Sequence, residues 1–519
     1  MIATVGKLQY PLSDRLYGLQ KALWRRGLSE GAVSTVREER GYMSLCVLTE
    51  SIFEFRRFVR RYLPFFRHPA QRQHFEAYLQ GLIGPLERKS IEPIALDQGV
   101  PWYRLEDFIS RSTWDSEALA AEHRRHLSQT LGSPNGIIII DPTSFPKRGI
   151  KTVGVTRQWC GQLGKEENCV VGVNLAYASE KGHTFLDRRM YLPRTWAGDR
   201  KRRRGARIPA DVVFRTSGEL AYEMISKARR AGLPHGWITG DEEFGRPPWL
   251  HDWLHEDGER YILEVPCRTR VWVTLPKRAI RGRIGTLDRL RVIARGRPRL
   301  ARVDEIARTL PDRAWSEHEV RDGSKGPIRV RAALLRVKFH RQREADRREG
   351  WFLITETLDQ KAQIKYFQSN AGPQIPVEDL LRAGFARWPV EQCHGQGKNE
   401  TGLGDYETRS WPGWHRHSVL VFLAHHWLVL ERNRLGEKIP RDDGRRSAPS
   451  LLRSVADDPG SPTKIGSTHA PSATPQSNRS SVALEEGARS SSDAEATQAG
   501  GRGTDPIDHH SIVEVVSRQ

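Results

Sequence analysis

Ile137-Ile-Ile-Ile-Asp141-Pro-Thr-Ser-Phe-Pro-Lys-Arg-Gly149 is the stretch on which the fold turns. Four consecutive isoleucines after the turn signal Pro134-Asn135-Gly136 read as a strand buried on both faces. The aspartate that follows stands at the C-terminal end of that strand. Downstream, residues 153–159, 170–177 and 184–192 read as three further strands separated by short glycine-containing joints, as in an antiparallel meander. Residues 220–230 have the apolar spacing of a helix that stops at Gly232, and 236–240 form a short strand delivering Asp241. A helix around 248–255 and a strand at 261–265 continue the alternation. This order predicts an α/β fold: a mixed sheet with helices packed on it.

Outward from this centre, residues 266–350 interrupt the alternation. They are rich in arginine (Arg268, Arg270, Arg278, Arg281, Arg283) with β-like pieces at 271–275 and 328–337, and read as an inserted, basic, β-containing subdomain. Strands resume at 351–355 and 364–368, and residues 377–435 are helix-rich. Residues 1–130 read as a helical, DNA-binding N-terminal domain. There Phe53, Phe55, Phe58, Val59 and Tyr62 interleave with Arg56, Arg57, Arg60 and Arg61, and residues 75–86 keep helical spacing. The basic face is either a contact for a phosphate backbone or a solvated surface. Residues 437–519, dense in Ser, Ala, Gly, Thr and Pro, lack the apolar residues to fold and are predicted to be a disordered tail. The catalytic domain is thus expected over 131–436, with the insertion at 266–350.

Of the 519 residues, 83 are Lys or Arg and 63 are Asp or Glu, a net charge of +20, and the positive excess lies entirely ahead of residue 437. A body that basic favours a polyanionic partner, of which nucleic acid is the commonest. The five cysteines form no CxxC pair, which argues against a disulfide framework or a zinc ribbon and suits a reducing cytoplasm. Residues 418–430, the longest apolar stretch, are too few to span a bilayer, and the N-terminus lacks a signal-peptide pattern. Neither a P-loop nor a Ser/His/Asp or Cys/His hydrolase pattern occurs, so no nucleotide cofactor is expected.

Three acidic residues stand at ends of core elements: Asp141, Asp241, and Glu391, which opens a helix after Trp388-Pro-Val. In an RNase H-like sheet the first two lie on adjacent strands and the helical glutamate closes over them. Hard oxygen ligands of this kind bind Mg²⁺. Two such ions roughly 4 Å apart activate a water or 3′-hydroxyl and stabilise the leaving oxygen of a phosphodiester. Glu242 and Glu243 add negative charge beside the second aspartate, and Gly395 and Gly397 weaken the helix carrying Glu391 by up to about 1 kcal/mol each. Cys393 and His394, adjacent on a helix with no second pair nearby, do not make a zinc site.

The segments Asp141-Pro-Thr-Ser-Phe-Pro-Lys-Arg-Gly149, Gly154-Val-Thr-Arg-Gln-Trp-Cys-Gly161, Tyr191-Leu-Pro-Arg-Thr-Trp196, Gly240-Asp-Glu-Glu-Phe-Gly245 and Trp388-Pro-Val-Glu391 occur in that order. With Lys398, Arg409-Ser-Trp411 and Gly413-Trp-His-Arg-His417, they resemble the insertion-sequence transposases of the 701 family. That is a branch of the DDE recombinases related to the IS4-like enzymes, and the likeness runs from about residue 40 to 435, loosely across the insertion. The resemblance implies Asp141, Asp241 and Glu391 as catalytic carboxylates and ligands of Mg²⁺, with Mn²⁺ as a substitute and two ions per site. Lys398, about two helical turns from Glu391 and on the same face, would touch a DNA phosphate, or is an exposed helix lysine. Lys147, Arg148, Arg157, Arg202, Arg203 and Arg409 are further candidates for DNA contact, although the run Arg200–Arg204 could equally be a solvated loop. His415 and His417 either pack or touch DNA. The implied activity is cleavage at element ends and transfer of the 3′-hydroxyl into target DNA. The implied partners are double-stranded DNA and a second or further copies of the chain in a synaptic complex, and the implied location is a bacterial cytoplasm, on the nucleoid when DNA-bound. The alternatives are a non-catalytic DNA-binding descendant of a transposase, and a generic RNase H-like nuclease.

Overall fold

The computed structural model describes residues 45–273, 299–323, 326–341, 348–358 and 362–438. The first 44 residues, part of the expected insertion (including Arg278, Arg281 and Arg283) and the expected tail beyond 438 lie outside the described residues.

The isoleucine run folds as expected, and its strand is longer. Strand β1 (Ile137–Pro146) runs on past Asp141. It pairs antiparallel with β3 (Lys165–Ser179), which in turn pairs antiparallel with β2 (Thr156–Cys160) and β4 (Gly182–Met190) on its far side. On its other side β1 runs parallel to β5 (Trp237–Gly240), and β5 parallel to β6 (Tyr261–Glu264). The order β4-β3-β1-β5-β6, with three antiparallel strands followed by two parallel ones, is the RNase H-like mixed sheet. The chain from 153 to 155 is not strand, although the apolar pattern predicts one over 153–159. Gly154 adopts φ +74, which breaks the extended run, so β2 begins only at Thr156.

All four isoleucines are buried because both faces of the sheet are covered. Ile138 and Ile140 share a core with Val173, Leu175, Ile238 and Leu263, beneath the helices Ser217–Arg230 and Pro248–Glu256. Ile137 and Ile139 face the opposite core, formed with Ile262, Val390, Phe422 and the N-terminal residues Phe55, Phe58, Tyr62 and Phe75. The helices Leu45–Tyr62, Pro69–Ile83 and Ser116–Thr130 therefore share a core with the sheet and with the long helix Trp411–Lys438.

The stretch expected as an insertion supplies β7 (Arg270–Val273), β8 (Arg299–Arg302), β9 (Ser316–Gly323) and β10 (Gly326–Phe339). These strands continue the same sheet through β11 (Glu349–Thr357) and β12 (Ile364–Ser369), which pairs antiparallel with β6. On one face their apolar side chains (Val271, Leu335, Phe352) form a further core with Val303 of the helix Val303–Thr309, while Val330, Leu334 and Leu353 face the core of the N-terminal helices and central strands. Among the described residues no helix is long and apolar enough to cross a membrane.

Candidate active site

Strand β1 leaves its parallel partner after the pair Ile140↔Gly240, and β5 leaves β6 after Gly240↔Leu263. The next residue on each strand is acidic: Asp141, Asp241 and Glu264. Three carboxylates thus stand in register at the C-terminal edge of three adjacent parallel strands, the position where an open α/β sheet presents a crevice to ligands. Side chains at equal register in parallel strands point to one face. Here that is the face of Ile139 and Ile262, over which the helix Trp388–Asn399 lies.

Asp141 is buried and doubly engaged. Its Oδ1 accepts a hydrogen bond of 3.0 Å from Arg387 Nη2, and its Oδ2 lies 3.3 Å from His394 Nδ1. The other ring nitrogen of His394 is 3.1 Å from the side-chain amide of Asn174, which sits directly opposite Asp141 on β3. Asn174 and Asp141 thus hold the two ring nitrogens of His394 from opposite sides. Asp241 caps the short helix Glu242–Gly245 and accepts from the Glu243 N–H at 3.0 Å. Burial, and then the nearby Asp141 carboxylate, push the Asp241 acid up to about 6, with Arg387 opposing. Gly245 allows the close fit beyond it, because a Cβ there would stand 1.8 Å from the Glu264 carbonyl oxygen.

Arg387, the residue immediately before the helix Trp388–Asn399, ties the three acids together. Besides Asp141, its Nη2 lies 4.0 Å from Asp241 Oδ2, and its Nη1 lies 3.7 Å from Glu264 Oε2. Glu264 is also held by Lys365 at 3.0 Å. Burial works against the Arg387 charge, but Asp141 and Asp241 outweigh it and raise its pKa.

The third expected carboxylate is placed differently. Glu391 is exposed, one helical turn before His394. Its backbone N–H donates to the Arg387 carbonyl at 3.3 Å, and among the described residues no group of three or more His, Cys, Asp and Glu side chains is arranged to hold a metal ion. The structure brings Asp141 and Asp241 together, with Glu391 exposed on the helix between Arg387 and His394, both of which reach Asp141. The two glycines that weaken its helix differ. A Cβ on Gly397 would meet the Phe185 ring at 2.8 Å, so that glycine lets the helix lie close on the sheet, whereas Gly395 faces open space. Glu242 forms an i,i+4 ion pair with Arg246 at 2.8 Å, and Glu243 is exposed.

The cations expected to touch DNA fall into three groups. Arg148, Arg157 and Arg409 are exposed. Lys147, Arg202, Arg203 and Lys398 are half-buried and already partnered. Lys147 donates to the Tyr406 carbonyl at 2.8 Å and sits 3.6 Å over that ring, where burial brings its ammonium down to about 8. Arg202 stacks 3.8 Å over Trp196, and Arg203 donates to the Val212 and Pro209 carbonyls. Lys398 donates to the Ser144 carbonyl and to Gln162, both at 3.2 Å, and its pKa is lowered by burial. His415 and His417 are inside the protein. His417 lies between the Tyr78 hydroxyl and the Gly402 carbonyl, and His415 is packed on Trp411 and Trp414, so neither ring is open to DNA in this conformation. The two rings lie on different sides of the helix Trp411–Lys438, His417 beside Tyr78 and His415 beside the tryptophans and the Arg188–Arg189 pair.

Sequence reasoning missed Glu264, Arg387 and the Asn174–His394 pair. Glu264 could have been found as the residue ending its strand just as Asp141 and Asp241 end their parallel pairings. Arg387 lies four residues before Glu391, hence on the same helical face. Asn174 carries no local signal, because it reaches the site only through the β1–β3 register.

A family model described as a DDE superfamily endonuclease matches residues 61–327, slightly more than half the chain and including Asp141, Asp241 and Glu264. The chain is also 33% identical over 346 residues to the probable transposase for insertion sequence element IS701 of Microchaete diplosiphon, covering 65% of this chain and 78% of that protein. Likeness on this scale, joined to an RNase H-like sheet with paired aspartates at its parallel edge, settles the family: the chain belongs to the DDE superfamily endonucleases, as an IS701-family DNA transposase.

Proposed function

We propose that the protein cuts DNA at the ends of its own element and joins the freed 3′-hydroxyl to target DNA, using Asp141, Asp241 and Glu391. The observation that carries this reading is the pairing of Asp141 with Asp241 at the open edge of adjacent parallel strands. The donor set suits a hard divalent cation: two carboxylates in one crevice, whose mutual repulsion is offset by a guanidinium. Asp141 and Asp241 would hold Mg²⁺ or Mn²⁺, in two ions, with Glu391 as the third ligand. Bound there, the ions would ease deprotonation of an attacking water or 3′-hydroxyl and stabilise charge on the leaving oxygen. His394 and Asn174 orient the Asp141 carboxylate, and Arg148, Arg157 and Arg409 offer exposed charge for the phosphate backbone. The helices ahead of residue 131 present Arg57 and Arg60 to solvent as a second DNA-contacting surface. A dimer or larger assembly of this chain would bring two element ends together.

The test is metal-dependent cleavage and joining of element-end DNA. Asp141→Asn, Asp241→Asn and Glu391→Gln are each expected to lower both products by at least about a thousandfold, the order of loss typical when a metal-centred phosphoryl-transfer site is disabled. Variants that process ends at the parental rate would falsify the assignment. Cleavage indifferent to end sequence, with no joined product, would point instead to a generic nuclease.

A further inference from the structure

Arg387 occupies an unusual position for a protein cation. Its two terminal nitrogens reach Asp141 at 3.0 Å, Glu264 at 3.7 Å and Asp241 at 4.0 Å, so one guanidinium is shared by the carboxylates at the ends of three neighbouring strands. Its Nε is buried without a hydrogen-bond partner, so the group is held by charge at its tip and not by a full set of bonds along its length. Glu264 differs from the aspartates in having a second cation, Lys365 at 3.0 Å. Among the described residues no lysine forms an ion pair with Asp141 or Asp241, and the other basic side chain at Asp141 is His394 at 3.3 Å. The backbone of Arg387 is the cap of the helix Trp388–Asn399, and Glu391 lies one turn further along, exposed.

We propose that Arg387 is a built-in countercation for the aspartate pair, and that a divalent ion entering the site must displace its guanidinium. Resting on the metal-site reading above, the idea adds a competition. A dication held between the two carboxylates would stand close to the guanidinium that hydrogen-bonds Asp141 and lies 4.0 Å from Asp241, and the two like charges repel. Glu264 is the carboxylate that retains the guanidinium nearby when it leaves Asp141. Because the Arg387 side chain ties the residue just before the helix that carries Glu391 to the sheet edge, its departure loosens that tether, so loading of the aspartate pair and approach of the third carboxylate become one event. Arg387 is in this sense a positioning residue.

The experiment is a Mn²⁺ titration of the full chain without DNA, followed by calorimetry and by the rise in melting temperature. It compares the parent with Arg387→Ala, Arg387→Lys and Asp141→Asn. The expected result for Arg387→Ala is a lower melting temperature without metal and a Mn²⁺ midpoint on the order of tenfold lower than the parent's, since the competing charge is gone. Arg387→Lys, which keeps a charge but not the fork, is expected to melt near the parent and to fall between the two in midpoint. It decides the matter if the alanine variant does not fold. A midpoint unchanged or weakened in both Arg387 variants, with the response still lost in Asp141→Asn, overturns the competition and leaves the metal site standing. A Mn²⁺ response that survives Asp141→Asn overturns both.

Discussion

Asp187, in the middle of β4, is fully buried with Arg124 at 2.6 Å, Arg189 at 3.3 Å and Arg188 at 3.4 Å. Burial alone would raise its acid, but Arg189 and the other two arginines hold it well below the usual carboxylate range. Removing the carboxylate leaves buried guanidinium charge uncompensated. Asp187→Ala is therefore expected to cost about 3–5 kcal/mol in denaturant unfolding, and a loss under 1 kcal/mol would show that the arginines rearrange freely. Gly245 is a second residue whose effect comes from close approach. With a Cβ 1.8 Å from the Glu264 carbonyl, Gly245→Ala must push the helix Glu242–Gly245 off the end of β6. It is expected to disturb Asp241, reducing cleavage more than stability; the ratio of relative activity to unfolding free energy checks this. Neither effect is visible at the residue alone. The sequence shows an acidic residue among arginines and a glycine after an acidic pair, and only the register says what each one touches.

The helix Trp411–Lys438 carries His415, His417, His425 and His426, all buried. It packs on β4 and on the N-terminal helices, where His123 and His126 meet His426 with ring centres 5.3 and 5.0 Å apart. Burial, reinforced for His126 and His426 by Arg61 and neighbouring imidazoles, keeps these rings neutral. His123 and His417 are brought down to about 4, and His126 and His425 to about 3. In the unfolded chain each takes up a proton near 6.5. Their stability is thus fully present above about 6.5 and is lost as the pH falls toward 4 and 3, by roughly 1 kcal/mol per pH unit for each ring. Melting temperature is expected to drop steadily from pH 7 to pH 5, and His426→Phe to flatten that slope. A flat parental profile would rule the account out. The periodicity of this segment predicted helix, but its histidines read equally as surface or core, because imidazole suits both and the choice depends on what packs against it.

At the scale of the whole molecule, a net charge of +20 makes DNA binding salt-dependent. The exposed Arg148, Arg157 and Arg409 are expected to act through the phosphate backbone. Each alanine substitution should weaken binding evenly across DNA sequences and reduce the slope of log affinity against log salt by roughly 1. Anisotropy titrations at several salt concentrations measure this, and an unchanged slope for all three would remove this face from the DNA path. The partnered Lys147, Arg202, Arg203 and Lys398 are expected to change stability along with affinity, since each also fastens a carbonyl or a ring.

The sequence by itself determined the mixed sheet and the first two catalytic candidates. An isoleucine run buried on both faces and the alternation that follows it are local patterns, and a strand end is a local place for a carboxylate. What only the tertiary structure decided is which groups share the site. Glu264 joins Asp141 and Asp241 through parallel register, Asn174 through an antiparallel one, and Arg387 and His394 through a helix docked over the sheet edge. The β-rich arginine segment likewise reads as separate along the chain, yet its described strands hydrogen-bond into the same sheet. Register and helix docking are set by contacts between residues far apart in sequence, and no periodicity within a segment encodes them.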